Sequence, residues 1–134
     1  MKPPSADIQF YEDVHLLVWR PRGVLNEAAL KHIRMLIGDL EATYAEPFNR
    51  FTDGQALDAI ELNFRYVFDF SLFRRLSYAE RLPVKSAILV TSLAFAHYSK
   101  LHAMLTQGSS IKVRIFEERE AAAQWLGVPV ELLS

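Results

Sequence analysis

The chain has 134 residues, 51% apolar and 23% charged, with 15 Lys and Arg against 16 Asp and Glu for a formal net charge of −1. That balance fits one ordinary globular domain and argues against a disordered tail, a collagen-like repeat or the overall basic footprint of a nucleic-acid-binding protein. The absence of cysteine excludes disulfide scaffolds, thiolate metal sites and cysteine nucleophiles.

The opening residues, 1–7, are polar and proline-rich, without the apolar run of a signal peptide. No apolar stretch approaches the ~20 residues of a membrane span, so a cytoplasmic protein is expected. Two extended runs follow, Ile8-Gln9-Phe10-Tyr11 and Val14-His15-Leu16-Leu17-Val18-Trp19, rich in β-branched and aromatic residues. Glu12-Asp13 between them suits a tight turn, which predicts an antiparallel hairpin ended by Pro21 and Gly23. Asn26 has the character of an N-cap, and Leu30, Ile33, Ile37, Leu40 and Tyr44 recur at helical spacing up to the stop at Pro47.

A strand is predicted from Phe48 to Asp53-Gly54, and Gln55–Leu62 reads as a loop or an early helical turn. Asn63 caps a second helix from about Phe64 to Arg81, closed by Pro83. The continuous apolar run ending Val84–Val90 predicts a strand covered on both faces, as in a parallel sheet. Thr91-Ser92 caps a third helix carrying Phe95, Tyr98, Leu101 and Leu105 and ending at Gly108. Ile111, Val113 and Ile115 alternate with Lys112 and Arg114, a strand with one wet face, and a final helix runs from Glu117 to Leu126 with Gly127 as its stop. The order is ββαβαβαβα: an α/β domain over 6–128 with a mixed, mostly parallel sheet, and tails at 1–5 and 129–134.

The ending Ile111-Lys112-Val113-Arg114-Ile115-Phe116-Glu117-Glu118-Arg119-Glu120, closing on Ala122-Ala123-Gln124-Trp125-Leu126-Gly127, resembles that of the SpoIIAA-like family of small bacterial proteins. The hairpin, the long first helix and the Asp-containing third strand are similar too. The resemblance implies a STAS-like fold, also likened to the CRAL-TRIO lipid-binding fold. Better-known relatives are anti-anti-sigma factors, switched by phosphorylation of a Ser at the start of the second helix. Setting Asp53 on the first Asp of their motif places Glu61 on the second, Leu62 on the Ser and Asn63 after it. Leu62 cannot accept phosphate, so the motif is degenerate and the phosphoswitch does not carry over. The closing pattern also places Trp125 in the core, as the anchor of the last helix.

Other chemistry finds little support in the spacing. His97 and His102 are five apart, so on a helix they diverge by ~140°, and no HExxH occurs. Ser71, Ser77, Ser86, Ser92 and Ser99 lack a nucleophile elbow, although a fold can still bring a Ser to a His. Neither a P-loop nor a dinucleotide fingerprint is present. No metal, cofactor or catalytic residue is assigned, and a non-enzymatic binding module is expected.

The second helix departs from a simple amphipathic pattern. Phe64 and Phe68 lie on one side, whereas Tyr66, Phe70 and Phe73 fall ~160° away with Arg74 and Arg75 beside them. A surface helix normally buries a single apolar stripe. Three arrangements account for the second one: a contact with another copy of the chain, giving a homodimer; a lipid or anionic membrane surface met by the arginines, giving peripheral association; or burial inside the domain. The expected contact residues are Tyr66, Phe70, Phe73, Arg74 and Arg75. The leading expectation is a homodimeric interaction module, and the alternative is a carrier of lipid or a small apolar ligand.

Overall fold

In a computed structural model that describes residues 7–134, β1 (Ile8–Tyr11) and β2 (Leu16–Trp19) form the expected antiparallel hairpin, joined by a 3₁₀ turn at Glu12–Val14. The tail at 1–5 lies outside the described residues. Next come β3 (Gly23–Asn26), α1 (Glu27–Thr43), β4 (Asn49–Asp53), β5 (Leu57–Glu61), α2 (Phe64–Ser77), β6 (Val84–Leu89), α3 (Leu93–Leu105), β7 (Ile111–Phe116) and α4 (Arg119–Leu126). The main sheet has the order β1-β2-β4-β6-β7, antiparallel only at the β1 edge. Central β6 is covered on both faces, as its continuous apolar run requires.

The helix starts are set by local chemistry. The side chains of Asn26, Asn63 and Ser92 accept hydrogen bonds from the backbone N–H groups of Ala29, Tyr66 and Phe95, at 2.9, 2.8 and 3.2 Å. Gly127 ends α4 in the left-handed conformation, a position that favours glycine. Gly54 is required by close approach: a Cβ there would stand 2.9 Å from the Leu89 carbonyl oxygen and overlap the Phe95 ring.

Three features depart from the sequence expectation. Residues Gly23–Asn26, for which no strand was expected between the end of the hairpin and the cap of the first helix, and Leu57–Glu61, expected as a loop or helical turn, are strands paired in parallel as a separate two-stranded sheet. Trp125 is half-buried at the rim of the core, packed against Phe116 with ring centroids 5.6 Å apart and flanked by Lys85. The segment expected to be a C-terminal tail is part of the core: Val130–Leu133 forms a 3₁₀ turn, Leu133 is 0% exposed, and its carbonyl accepts a 2.9 Å bond from Arg119 Nε.

Because successive strand residues point to opposite faces, the sheet divides its side chains cleanly. Leu16, Val18, Phe51, Ala87 and Leu89 pack against Ala122, Ala123 and Leu126 of α4 and against Leu133. On the other face Leu17 meets Ile33 and Ile37 of α1, and Ile88 meets Phe95 of α3. That second face, roofed by α1, α2 and α3, holds the candidate site.

Candidate functional site

Between the sheet and the three helices lies a cavity of about 90 Å³. Its floor is Trp19 of β2, Arg50 and Thr52 of β4, and Ser86 and Ile88 of β6. Its walls are mostly apolar: Leu30, Ile33 and Ile37 of α1, Val67 and Phe70 of α2, and Phe95 and Tyr98 of α3, with Leu25 and Leu62 at one end. The strand register orders this floor. Arg50 pairs with Ser86, and two residues further along Thr52 pairs with Ile88. At ~3.3 Å per residue the two levels are ~7 Å apart, so Arg50 and Ser86 lie at one end of the floor and Trp19, Thr52 and Ile88 at the other.

Two arginines define the polar end. Arg50 is 3% exposed, and its Nη2 donates to Glu41 Oε2 at 2.9 Å and to the Tyr78 hydroxyl at 2.8 Å. Its Nε and Nη1 are buried without a hydrogen-bond partner among the described residues. Glu41 also accepts from the Tyr78 hydroxyl and pairs with Arg81 at 3.0 Å. Burial is the main cause of a raised Tyr78 pKa, so this hydroxyl stays protonated and able to donate. Arg74 is 8% exposed and lies over the rings of Phe70 and Tyr78, 5.5 and 5.8 Å from their centroids. Among the described residues its guanidinium forms no ion pair and no hydrogen bond. Burial first, and the Arg50 charge second, lower its pKa to about 10, which leaves it charged at neutral pH.

The fold does bring a serine to a histidine. Ser71 Oγ lies 2.7 Å from His102 Nδ1, joining α2 to α3. Ser71 is fully buried and does not line the cavity. Burial, and secondarily the charge of Arg74, push the His102 pKa down to about 3. So weak a base is poorly matched to proton abstraction at neutral pH. The pair acts as a buried tie between two helices.

The expected contact residues do not share one surface. Val67, Phe70, Ser71 and Arg74 form the buried stripe of α2, at i, i+3, i+4 and i+7. Phe70 and Arg74 therefore face the cavity, which corrects the expectation that they lie on the outer side. Tyr66 is half-buried, its hydroxyl donating to the Glu27 carbonyl at 3.4 Å. Phe73 is 49% exposed, with the Arg34 guanidinium 4.8 Å from its ring centroid. Arg75 is exposed and its Nη1 donates to the carbonyls of Leu105 and Gln107, at 3.3 and 2.8 Å, at the C-terminal end of α3.

The degenerate motif is likewise dispersed. Asp53, at the end of β4, accepts from the Gln55 N–H at 2.9 Å and pairs with Arg119 at 3.0 Å. Glu61 ends β5 in the other sheet and is exposed, Leu62 lines the cavity, and Asn63 caps α2. Missing from the sequence expectation were Arg50, Ser86, Ser99 and His102 as cavity residues. A visible signal for Arg50 was a charged residue inside a strand next to Phe51, but nothing local showed which way it points.

The fold defined by this sheet and its helices is SpoIIAA-like. It is similar to that of an uncharacterised DUF3478-family protein with a SpoIIAA-like fold from Shewanella loihica PV-4, with a TM-score of 0.55. The two chains are 19% identical over 89% of this chain and 90% of that one. No family model matches the sequence, and no curated protein does. Among the described residues no helix is long and apolar enough to cross a membrane.

Proposed function

We propose that the protein is a non-enzymatic binding module that takes a small apolar ligand, or one end of a longer one, into the cavity beneath α1, α2 and α3. The observation that carries this reading is a concave, mostly apolar pocket with both of its arginines toward one end, which is the usual make-up of a ligand site. At about 90 Å³ it is well below the ~300–1,000 Å³ of pockets for drug-sized molecules. The occupant is therefore short, or only its head is enclosed. Leu62, where a switch protein would carry its phosphorylated Ser, serves here as cavity wall.

Titration with n-alcohols of four to eight carbons, followed by amide NMR, tests this. Shift changes are expected to cluster at the cavity residues, and affinity should rise with chain length by at most ~0.8 kcal/mol per methylene until the space is filled. Val67→Phe, which grows into the cavity from α2, should remain folded and lose the binding. Shifts scattered over the surface, or unchanged binding by the Val67→Phe protein, would refute the reading.

A second reading, self-association through the outer side of α2, is favoured by Phe73 and Leu76, which are 49% and 75% exposed and neighbour each other on that side. Aromatic residues of this kind supply much of the energy of protein interfaces. Replacing Phe73 and Leu76 by Ser is expected to shift a dimer to folded monomer in sedimentation equilibrium. A wild-type protein monomeric at 100-fold the working concentration would exclude this reading, and flotation of the wild type with anionic vesicles would assign the face to a membrane.

A further inference from the structure

We infer that the ligand of the cavity is a monoanion with a carboxylate head, held at the end formed by Arg74, Ser86 and Ser99, with its hydrocarbon part directed toward Trp19, Ile88 and Phe95. The inference rests on the cavity reading above and adds the chemical class of the occupant. Its basis is a set of donors without acceptors. Arg74 is more than nine-tenths buried, lines the cavity and meets no carboxylate among the described residues. Ser86 and Ser99, both buried residues of the cavity lining, likewise make no side-chain hydrogen bond among the described residues. Native proteins rarely leave buried charges and polar groups unmatched, because each loses its hydration without compensation.

The charge balance selects a single negative charge. Arg50, beside Ser86 on the neighbouring strand, has its charge matched by Glu41, which it shares with the half-exposed Arg81, while its Nε and Nη1 add two further donors without acceptors among the described residues. Of the two guanidiniums that line the cavity, Arg74 is the one without a carboxylate in contact among the described residues, and a single anionic charge matches it. A phosphate monoester would bring nearly two charges into an apolar enclosure that offers one unmatched cation. A carboxylate oxygen is an acceptor only, which suits a wall whose free groups are N–H and O–H donors. His102, held neutral beside Arg74, adds no second positive charge.

Calorimetric titration of the wild type with hexanoate, 1-hexanol and hexyl phosphate at neutral pH separates the possibilities. Hexanoate is expected to bind at least tenfold tighter than hexanol, and hexyl phosphate more weakly than hexanoate. Arg74→Met should bind hexanoate and hexanol alike, without a lower thermal midpoint, because removal of an unpaired buried charge does not destabilise a fold. Equal binding of hexanoate and hexanol by the wild type overturns the carboxylate inference and leaves the cavity reading intact. Absence of binding by any of the three overturns both, and preference for hexyl phosphate overturns the monoanion. Should Arg74→Met fail to fold, wild type with [1-13C]hexanoate decides. The bound carboxyl resonance should remain that of the ionised form to a pH at least one unit lower than in free hexanoate, and a bound carboxyl that titrates like the free acid overturns the inference.

Discussion

Glu41→Leu is expected to destabilise the protein by about 3–5 kcal/mol, read from the midpoint of urea unfolding. The reason lies in Arg50 more than in Glu41. The Arg50 side chain is 4% exposed and has one carboxylate partner, at 2.9 Å. With Glu41 gone, a guanidinium already carrying two unpartnered nitrogens would sit in the interior with only the Tyr78 hydroxyl against it. Removing one member of a buried pair leaves an uncompensated charge, whereas removing both leaves none. The double substitution Glu41→Leu, Arg50→Met should therefore recover most of the loss, and the non-additivity of the cycle measures the coupling. A loss below ~1 kcal/mol for the single substitution would mean that Arg50 escapes to water.

Acid is expected to weaken the fold well before the carboxylates are protonated, and His102 is the cause. Its ordinary pKa is about 6.5 and its folded value is lowered to about 3, chiefly by burial and then by Arg74. Below pH 6.5 the unfolded chain takes up a proton that the folded chain refuses. Its stabilising contribution is fully present above pH 6.5 and is lost progressively as the pH falls toward 3. The shift sets an upper bound of roughly 5 kcal/mol on this loss. Urea melts between pH 7 and 4.5 should show falling stability, and the slope should flatten in His102→Gln. The other three histidines are exposed, which makes His102 the natural source of such a slope. An unchanged slope in the variant would assign the acid sensitivity to the carboxylates.

Neither residue behind these effects stands out in the sequence, and the reason separates local from tertiary determination. The N-caps Asn26, Asn63 and Ser92, the stop at Gly127 and the apolar run of β6 were all legible. Each depends on contacts within three or four residues, or on a pattern within one element. The order of the main elements follows from them, since repeated strand–helix units with short connections leave few arrangements open. The closing pattern after Ile111 added the resemblance to a SpoIIAA-like fold, which the tertiary structure bears out.

Burial was a different matter. On α2 two aromatic sides compete for the core, and the choice of Val67, Phe70 and Arg74 as the inward stripe is made by α3 and the sheet. The strand Leu57–Glu61 carries two acidic residues and little β-branching, and gains its conformation by pairing with β3, more than thirty residues earlier. Leu133 looks like a frayed end until Arg119 and the α4 face of the sheet fix it. Arg50 and Tyr78 are 28 residues apart, and Ser71 and His102 are 31 apart. The sequence by itself determined the caps, the central strands and the class of fold. Only the tertiary structure decided which charges are buried and which donors face the cavity, because desolvation depends on everything that surrounds a group and not on its neighbours along the chain.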